Sequence, residues 1–212
     1  TEKRKEIYKK IDFLNFWLFG CCAVLMFTVF DSVIILWVGE LFLFPAAGVF
    51  SLTLNFYIQG MRQSVLTFKN AAGIYYEDRF VPVWEAVINV ILSVILARSI
   101  GIAGVFVGTM VSSGAVFLYS YPKYVCRPLF GMRYGEYLRQ SVGHLLTVVG
   151  AFGVSEGLLY VWGLSNVWIR LVAGGAVSVA TFHLLFFAFY GRSREMRFFW
   201  NLIMEVKNKM WR

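Results

Sequence analysis

Apolar residues run through this chain in long blocks, separated by short clusters of charge. Six blocks are long enough to cross a bilayer: 11–30, 41–60, 82–98, 102–121, 142–162 and 167–190. About 20 apolar residues, at the 1.5 Å rise of a helix, cross about 30 Å of hydrocarbon. No strand-like alternation, soluble repeat or low-complexity run interrupts the blocks. The pattern predicts an all-α, polytopic transmembrane helix bundle of six spans over 1–190, then a basic amphipathic tail over 191–212. The outer connections at 98–101 and 163–166 are short, which predicts two tight antiparallel helix hairpins. The connection 61–81 is the longest and ends at Pro82, a residue favoured in the first turn of a helix. Residues 31–40 fit either a short interfacial helix or the far end of a long, tilted first span.

Charge orients the bundle. The chain has 20 Lys and Arg residues and a net charge of +8. All but Arg98 and Arg170 lie in the leading segment, in the loops after the second and fourth spans, or in the tail. Basic residues are retained in cytoplasmic loops, so both termini of this segment are expected in the cytoplasm. Because the positive charge is split among loops that flank apolar spans, it points to membrane lipids and not to nucleic acid. In the tail, Met196, Phe199, Trp200, Ile203, Val206 and Met210 recur near helical spacing. Arg194, Arg197, Lys207 and Lys209 fill the rest, as in a helix lying on the inner leaflet. A charged start followed by a long span excludes a simple cleaved signal peptide. Since the chain begins at Thr1 and not Met, it is expected to be the C-terminal piece of a longer protein.

Two spans carry polar stripes. Ser51, Asn55, Gln59 and Gln63 follow one another at steps of four, with Arg62 beside the last. Glu85, Asn89 and Ser93 do the same in the next span. Steps of four keep side chains on one helix face. Polar groups facing lipid are costly, so these faces are expected to meet protein or a water-filled cavity. They can form the wall of a hydrophilic passage, or interhelical hydrogen bonds that hold the bundle together. Gly104, Gly108 and Ser112, after Gly101 and beside Thr109 and Ser113, form a small-residue seam for close helix packing. Gly143, Gly150, Gly153 and Gly157 repeat that theme in the fifth span. Glu156 is expected to pair with Arg170 near the outer interface. Asp78 and Arg79 fit a local turn with a salt link. His144 reads as an interfacial histidine, and His183 as one bonded to neighbouring backbone, with a proton relay as the other reading.

Catalytic and metal-binding patterns are lacking. Cys21 and Cys22 are adjacent within the first span and Cys126 lies in a loop, an arrangement that suits neither a disulfide nor a metal site. There is no paired metal-ligand spacing, no phosphate-cradling glycine loop, and no Ser/His/Asp or Cys/His set placed to share one aqueous pocket. The chain is therefore expected to be no enzyme and to need no cofactor or metal.

Residues 68–113 hold Gly73, Asp78, Arg79, Pro82, Glu85, Asn89, Ser93, Gly101, Gly104, Gly108, Thr109 and Ser112 in an order that resembles the bacterial polysaccharide flippases. These are the O-antigen and capsule repeat-unit transporters of the multidrug and oligosaccharidyl-lipid exporter superfamily. The run Ile35-Leu36-Trp37-Val38-Gly39 resembles a Leu-Trp-Leu-Gly element that follows an earlier span in that family. The resemblance covers about residues 10–121; residues 122–212 match only in hydropathy. It implies two helical lobes facing each other across a cavity that opens to each side in turn. This chain would be the later part of the second lobe plus two trailing helices, with the missing N-terminal lobe as its partner. It implies a bacterial inner-membrane protein that passes undecaprenyl-pyrophosphate-linked oligosaccharide to the outer leaflet. In that reading Arg62 and Arg79 attract the pyrophosphate, an anion that Arg suits by bidentate geometry. Ser51, Asn55, Gln59, Glu85 and Asn89 then line the path. Three alternatives stay open. One is a cation-coupled multidrug exporter using Glu85 or Glu156. Another is a membrane-embedded polysaccharide transferase or polymerase, against which the short loops without histidine count. The last is a bundle that only assembles with a partner.

Overall fold

The computed structural model describes the backbone of residues 2–210; beyond Asn201, Met204 is the one residue whose side chain is described. Seven helices account for nearly all of it: α1 (Glu2–Trp37), α2 (Ala46–Ala72), α3 (Val81–Ile100), α4 (Ile102–Phe130), α5 (Tyr134–Trp162), α6 (Val167–Tyr190) and α7 (Arg194–Met210). A single 3₁₀ turn, Glu40–Phe42, joins α1 to α2, and no strand occurs among the described residues.

Five of these helices, α1, α3, α4, α5 and α6, are long and apolar enough to cross a membrane. The sixth expected span, 41–60, is corrected in both position and character. Pro45 caps a helix that begins at Ala46 and runs 27 residues to Ala72, where Gly73 closes it in the left-handed conformation (φ 67°). At about 40 Å this helix is long enough to span. It falls short in apolarity because Asn55, Gln59, Arg62 and Gln63 lie within it. Other boundaries move for similar reasons. No helix breaker stands between Asp31 and Trp37, so α1 runs unbroken to Trp37 and 31–37 is the end of a long first span. The fourth span continues to Phe130 because the chain accommodates Pro122 within a helix. Two consecutive π-helical segments, Val116–Ser120 and Pro122–Cys126, widen the turn there. Proline lacks the N–H and its ring crowds the carbonyl four residues back, so a wider i→i+5 register relieves that crowding. The loop between α4 and α5 shrinks to residues 131–133.

Directions follow from the contacts. Tyr8 meets Phe68, Phe19 meets Phe56 and Phe30 meets Phe44, so α1 and α2 are antiparallel. Phe13 packs on Phe186 and Gly20 on Phe182, which makes α6 antiparallel to α1 on another side. Phe16 stacks on His144 and Phe27 on Phe152, so α5 runs parallel to α1. Helix α1 is thus the hub, with α2 on one flank and α5 and α6 on the other. The α3–α4 hairpin attaches through α4 to α2. Buried aromatics gather at the basic end, among them Tyr8, Phe16, Tyr57, Phe130, Tyr137 and Phe186. Lys5 and Lys9 bridge to Glu136 in the first turn of α5, at 2.8 and 2.7 Å, and tie the charged start of α1 to that end. Helix α7 is held by Ser193, whose Oγ accepts from the Met196 N–H at 3.1 Å, and by Phe199, which stacks on Phe13. The predicted tail residues Ile203, Val206, Lys207, Lys209, Met210 and Arg212 lie outside the described side chains.

The two glycine series differ. A Cβ on Gly104 would stand 2.2 Å from the Leu96 backbone, and one on Gly108 would stand 2.8 Å from the Ser93 backbone nitrogen. These glycines let α3 and α4 lie against one another. Gly150, Gly153 and Gly157 have open space at the Cβ position, so the expected seam in the fifth span is absent. Two substitutions separate the cases: Gly108→Ala is expected to lower stability by about 1–3 kcal/mol through overpacking, and Gly153→Ala to leave it unchanged or raise it slightly. Thermal unfolding in detergent checks this.

Candidate functional site

The two polar stripes come together, but through a third helix. Helices α3 and α4 meet along the glycine seam, and α4 also packs on α2. Glu85, one turn into α3, reaches across to α2. Its carboxylate accepts two hydrogen bonds from Arg62: Nη1 to Oε1 at 2.5 Å and Nη2 to Oε2 at 2.9 Å. Arg62 Nε donates to the hydroxyl of Tyr121, which lies between the two π-helical segments of α4, at 3.0 Å. Ser113 Oγ donates to Glu85 Oε1 at 3.2 Å and accepts from Gln59 Nε2 at 3.0 Å. One turn further along α3, Asn89 Nδ2 donates to Ser112 Oγ at 3.2 Å, while Ser93 reaches back toward Asn89. The outcome is a ladder of polar groups that binds α2, α4 and α3 in that order.

The expected site residues therefore divide. Arg62 and Glu85 form one ion pair, with side chains 12% and 19% exposed, so the guanidinium is already committed to a carboxylate. Asn89 is closed off by Ser112. Ser51 is buried and donates to the Ala47 carbonyl of its own helix at 2.7 Å. Asn55 is half-buried, and its Oδ1 has no hydrogen-bond partner among the described residues. Gln59 and Gln63 are exposed despite lying in the middle part of α2. Arg79 is exposed in the α2–α3 loop, its guanidinium 4.2 Å from the Tyr76 ring centre and 4.8 Å from that of Phe80. The expected Asp78–Arg79 link is not formed. Asp78 is buried and pairs with Lys69 at the end of α2, because Gly73 turns the chain back over that helix end.

A cavity of about 390 Å³ lies beside Glu85, between α3 and the π-helical part of α4; Trp84, Ile88, Val116 and Tyr119 make its walls largely apolar. The outer face of α3 is apolar too. None of its residues is buried, and Val83, Val87, Val90, Ile91 and Val94 all stand exposed. The bundle thus presents an apolar flank on α3 and an amide-bearing edge on α2.

Two further expectations are met. Arg170 and Glu156 approach to 3.9 Å with both side chains partly exposed, a weak pair. His183 is bonded through both nitrogens: Trp17 Nε1 donates to Nε2 at 3.2 Å, and Nδ1 lies 2.8 Å from the Val179 carbonyl. That arrangement fits the neutral tautomer with its proton on Nδ1.

Asp12 was not among the expected residues. It is 3% exposed and takes hydrogen bonds from Ser64 and Gln140, on two other helices. The sequence does carry a signal for it, because a carboxylate inside a predicted span calls for a named partner.

Comparison of the chain with family models, curated proteins and solved structures gives no match.

Glu85→Gln leaves a half-buried guanidinium without its counter-charge. Breaking such a pair costs about 3 kcal/mol or more. Arg62→Met combined with Glu85→Met removes both charges and is expected to recover most of that loss. Unfolding in detergent of the single and double variants measures the difference.

Proposed function

We propose that this membrane-embedded bundle is the C-terminal segment of a bacterial inner-membrane flippase. Its cargo would be oligosaccharide repeat units linked to undecaprenyl pyrophosphate, moved from the inner to the outer leaflet for surface polysaccharide. Both ends of the segment lie on the cytoplasmic side in this reading, where nearly all its basic residues gather. The observation that carries the proposal is the exposed amide edge of α2. Gln59 and Gln63 stand open on a helix whose other faces are packed in a bundle of membrane-spanning helices. Amides facing hydrocarbon are disfavoured, so this edge calls for water, sugar hydroxyls or a second lobe of the same protein. A sugar path satisfies all three.

The residue roles follow the geometry. Gln63, and the exposed part of Gln59 beyond its bond to Ser113, are the groups of the α2 stripe placed to meet sugar. Arg79, exposed on the loop at the basic end, is the cation available to the pyrophosphate. Arg62 acts as a strut, since its charge is met by Glu85. Ser51 and Asn55 lie nearer the start of α2, and Asn55 Oδ1 is an acceptor without a donor among the described residues. Glu85 and Glu156, the carboxylates a cation-coupled exporter would use, each face an arginine, which favours the sugar reading.

Gln59→Leu and Arg79→Ala, placed in the full-length protein in its own host, test the proposal. Each removes one hydrogen-bonding or charged contact to the passing ligand, worth about 1 kcal/mol or more. Surface polysaccharide is expected to fall at least about fivefold at unchanged protein level in the membrane. Wild-type polymer in both variants would discard the α2 edge as a path.

A further inference from the structure

The basic end of the bundle holds a second polar assembly, separate from the ladder. Asp12 sits on the buried face of α1. Its Oδ1 accepts from Ser64 Oγ of α2 at 2.9 Å and from the Tyr8 hydroxyl at 3.5 Å, and its Oδ2 accepts from Gln140 Nε2 of α5 at 2.8 Å. His144 follows one turn after Gln140 and is also 3% exposed. Its Nδ1 stands 3.8 Å from Asp12 Oδ2 and has no hydrogen-bond partner among the described residues. The imidazole lies flat on the Phe16 ring, with centroids 4.0 Å apart and planes 2° from parallel, which holds it facing Asp12. The same side chain lines a cavity of about 300 Å³ at the basic end, together with Lys9, Glu136, Arg139, Gln140 and Glu195. That volume has room for several waters.

A buried nitrogen without a partner is costly, and so is a buried carboxylate without a counter-charge. Here the two stand next to each other with nothing between them. One added proton relieves both. On His144 Nδ1 it makes an imidazolium that faces the carboxylate; on Asp12 Oδ2 it makes a hydroxyl that donates to the imidazole. Closing the 3.8 Å gap to a hydrogen bond takes a shift of under about 1 Å.

We propose that Asp12 and His144 together bind one exchangeable proton, taken from water that enters this cavity at the basic end. In binding, a hydronium ion transfers its proton to the pair and leaves as water; release is the reverse. The other titratable groups facing the pair are Tyr8 on α1, Tyr57 on α2, Cys126 on α4, Tyr137 on α5 and Tyr190 on α6. Phenols and thiols are ordinarily neutral at pH 7. The charged groups at the cavity are Lys9, Arg139, Glu136 and Glu195, and Glu136 is bridged by Lys5 and Lys9. Asp12 binds α1 to both Ser64 and Gln140, so the proton on the pair sets how α1, α2 and α5 are joined. This inference stands independently of the transport reading.

The chain contains two histidines, so the signals of His144 need to be told apart only from those of His183. The test is ¹⁵N NMR of the histidine-labelled full chain in lipid nanodiscs, with signals assigned by His144→Gln. Between about pH 5 and 8, the window in which histidines respond, the His144 nitrogens are expected to shift in a single step. Asp12→Asn is expected to abolish that step. Gln140→Leu removes the hydrogen bond to Asp12 Oδ2, so the step should change position. A flat His144 response in the wild-type protein overturns the proposal, as does a step unchanged in Asp12→Asn. Should Asp12→Asn fail to fold, an unmoved step in Gln140→Leu overturns it equally.

Discussion

Arg62 and Glu85 face each other in surroundings where neither charge can stand alone, and much of the bundle is arranged so that they meet. Glu85 is on a helix with no buried residue; it reaches α2 only because Gly104 and Gly108 let α3 lie close against α4. Tyr121 reaches Arg62 from a stretch of α4 whose turns are widened around Pro122. Ser113 then links the pair to Gln59. Small residues, a proline and a carboxylate far apart in sequence thus serve one electrostatic requirement. Remove the glycine seam and the carboxylate loses its reach; remove the carboxylate and the arginine is left stranded.

The opposite flank is held differently. There α1 contacts α5 and α6 through stacked rings, with Phe13, Phe16, His144, Phe182, Phe186 and Tyr190 in mutual contact. Aromatic pairs of this kind are worth about 0.5–1.5 kcal/mol each beyond the area they bury. The polar Asp12 cluster lies within this aromatic packing, so the basic end combines stacked rings with a buried titratable pair. The far end is looser, with Trp37, Leu41 and Tyr160 largely exposed.

Hydropathy made most of the helices legible. Both tight hairpins, the α3–α4 seam, the Glu156–Arg170 pair and the bonding of His183 were all readable from spacing. Three features were not. Continuation of α4 past Pro122 depends on a change of helical register that no local propensity signals. Apolarity of 41–60 read as an ordinary span, although three of the four stripe residues lie within it and α2 runs on to Ala72. Spacing alone also could not tell a used glycine seam from an unused one: Gly150, Gly153 and Gly157 follow much the same rhythm as Gly104 and Gly108, yet only the latter have a neighbour. In the polar stripes, period identified the faces correctly. Which members are paired depends on what α4 places opposite them: Ser112 and Ser113 read first as packing, and Tyr121 as the last residue of the fourth span.

The division between an α3 stripe paired with α4 and an open α2 edge is tested most directly by thiol labelling in native membranes. Single cysteines at positions 59, 63, 89 and 93 would be introduced after replacement of Cys21, Cys22 and Cys126, then exposed to a membrane-impermeant maleimide. Gln59→Cys and Gln63→Cys are expected to react, while Asn89→Cys and Ser93→Cys stay protected. Equal labelling at all four positions, or none at 59 and 63, would contradict the arrangement described.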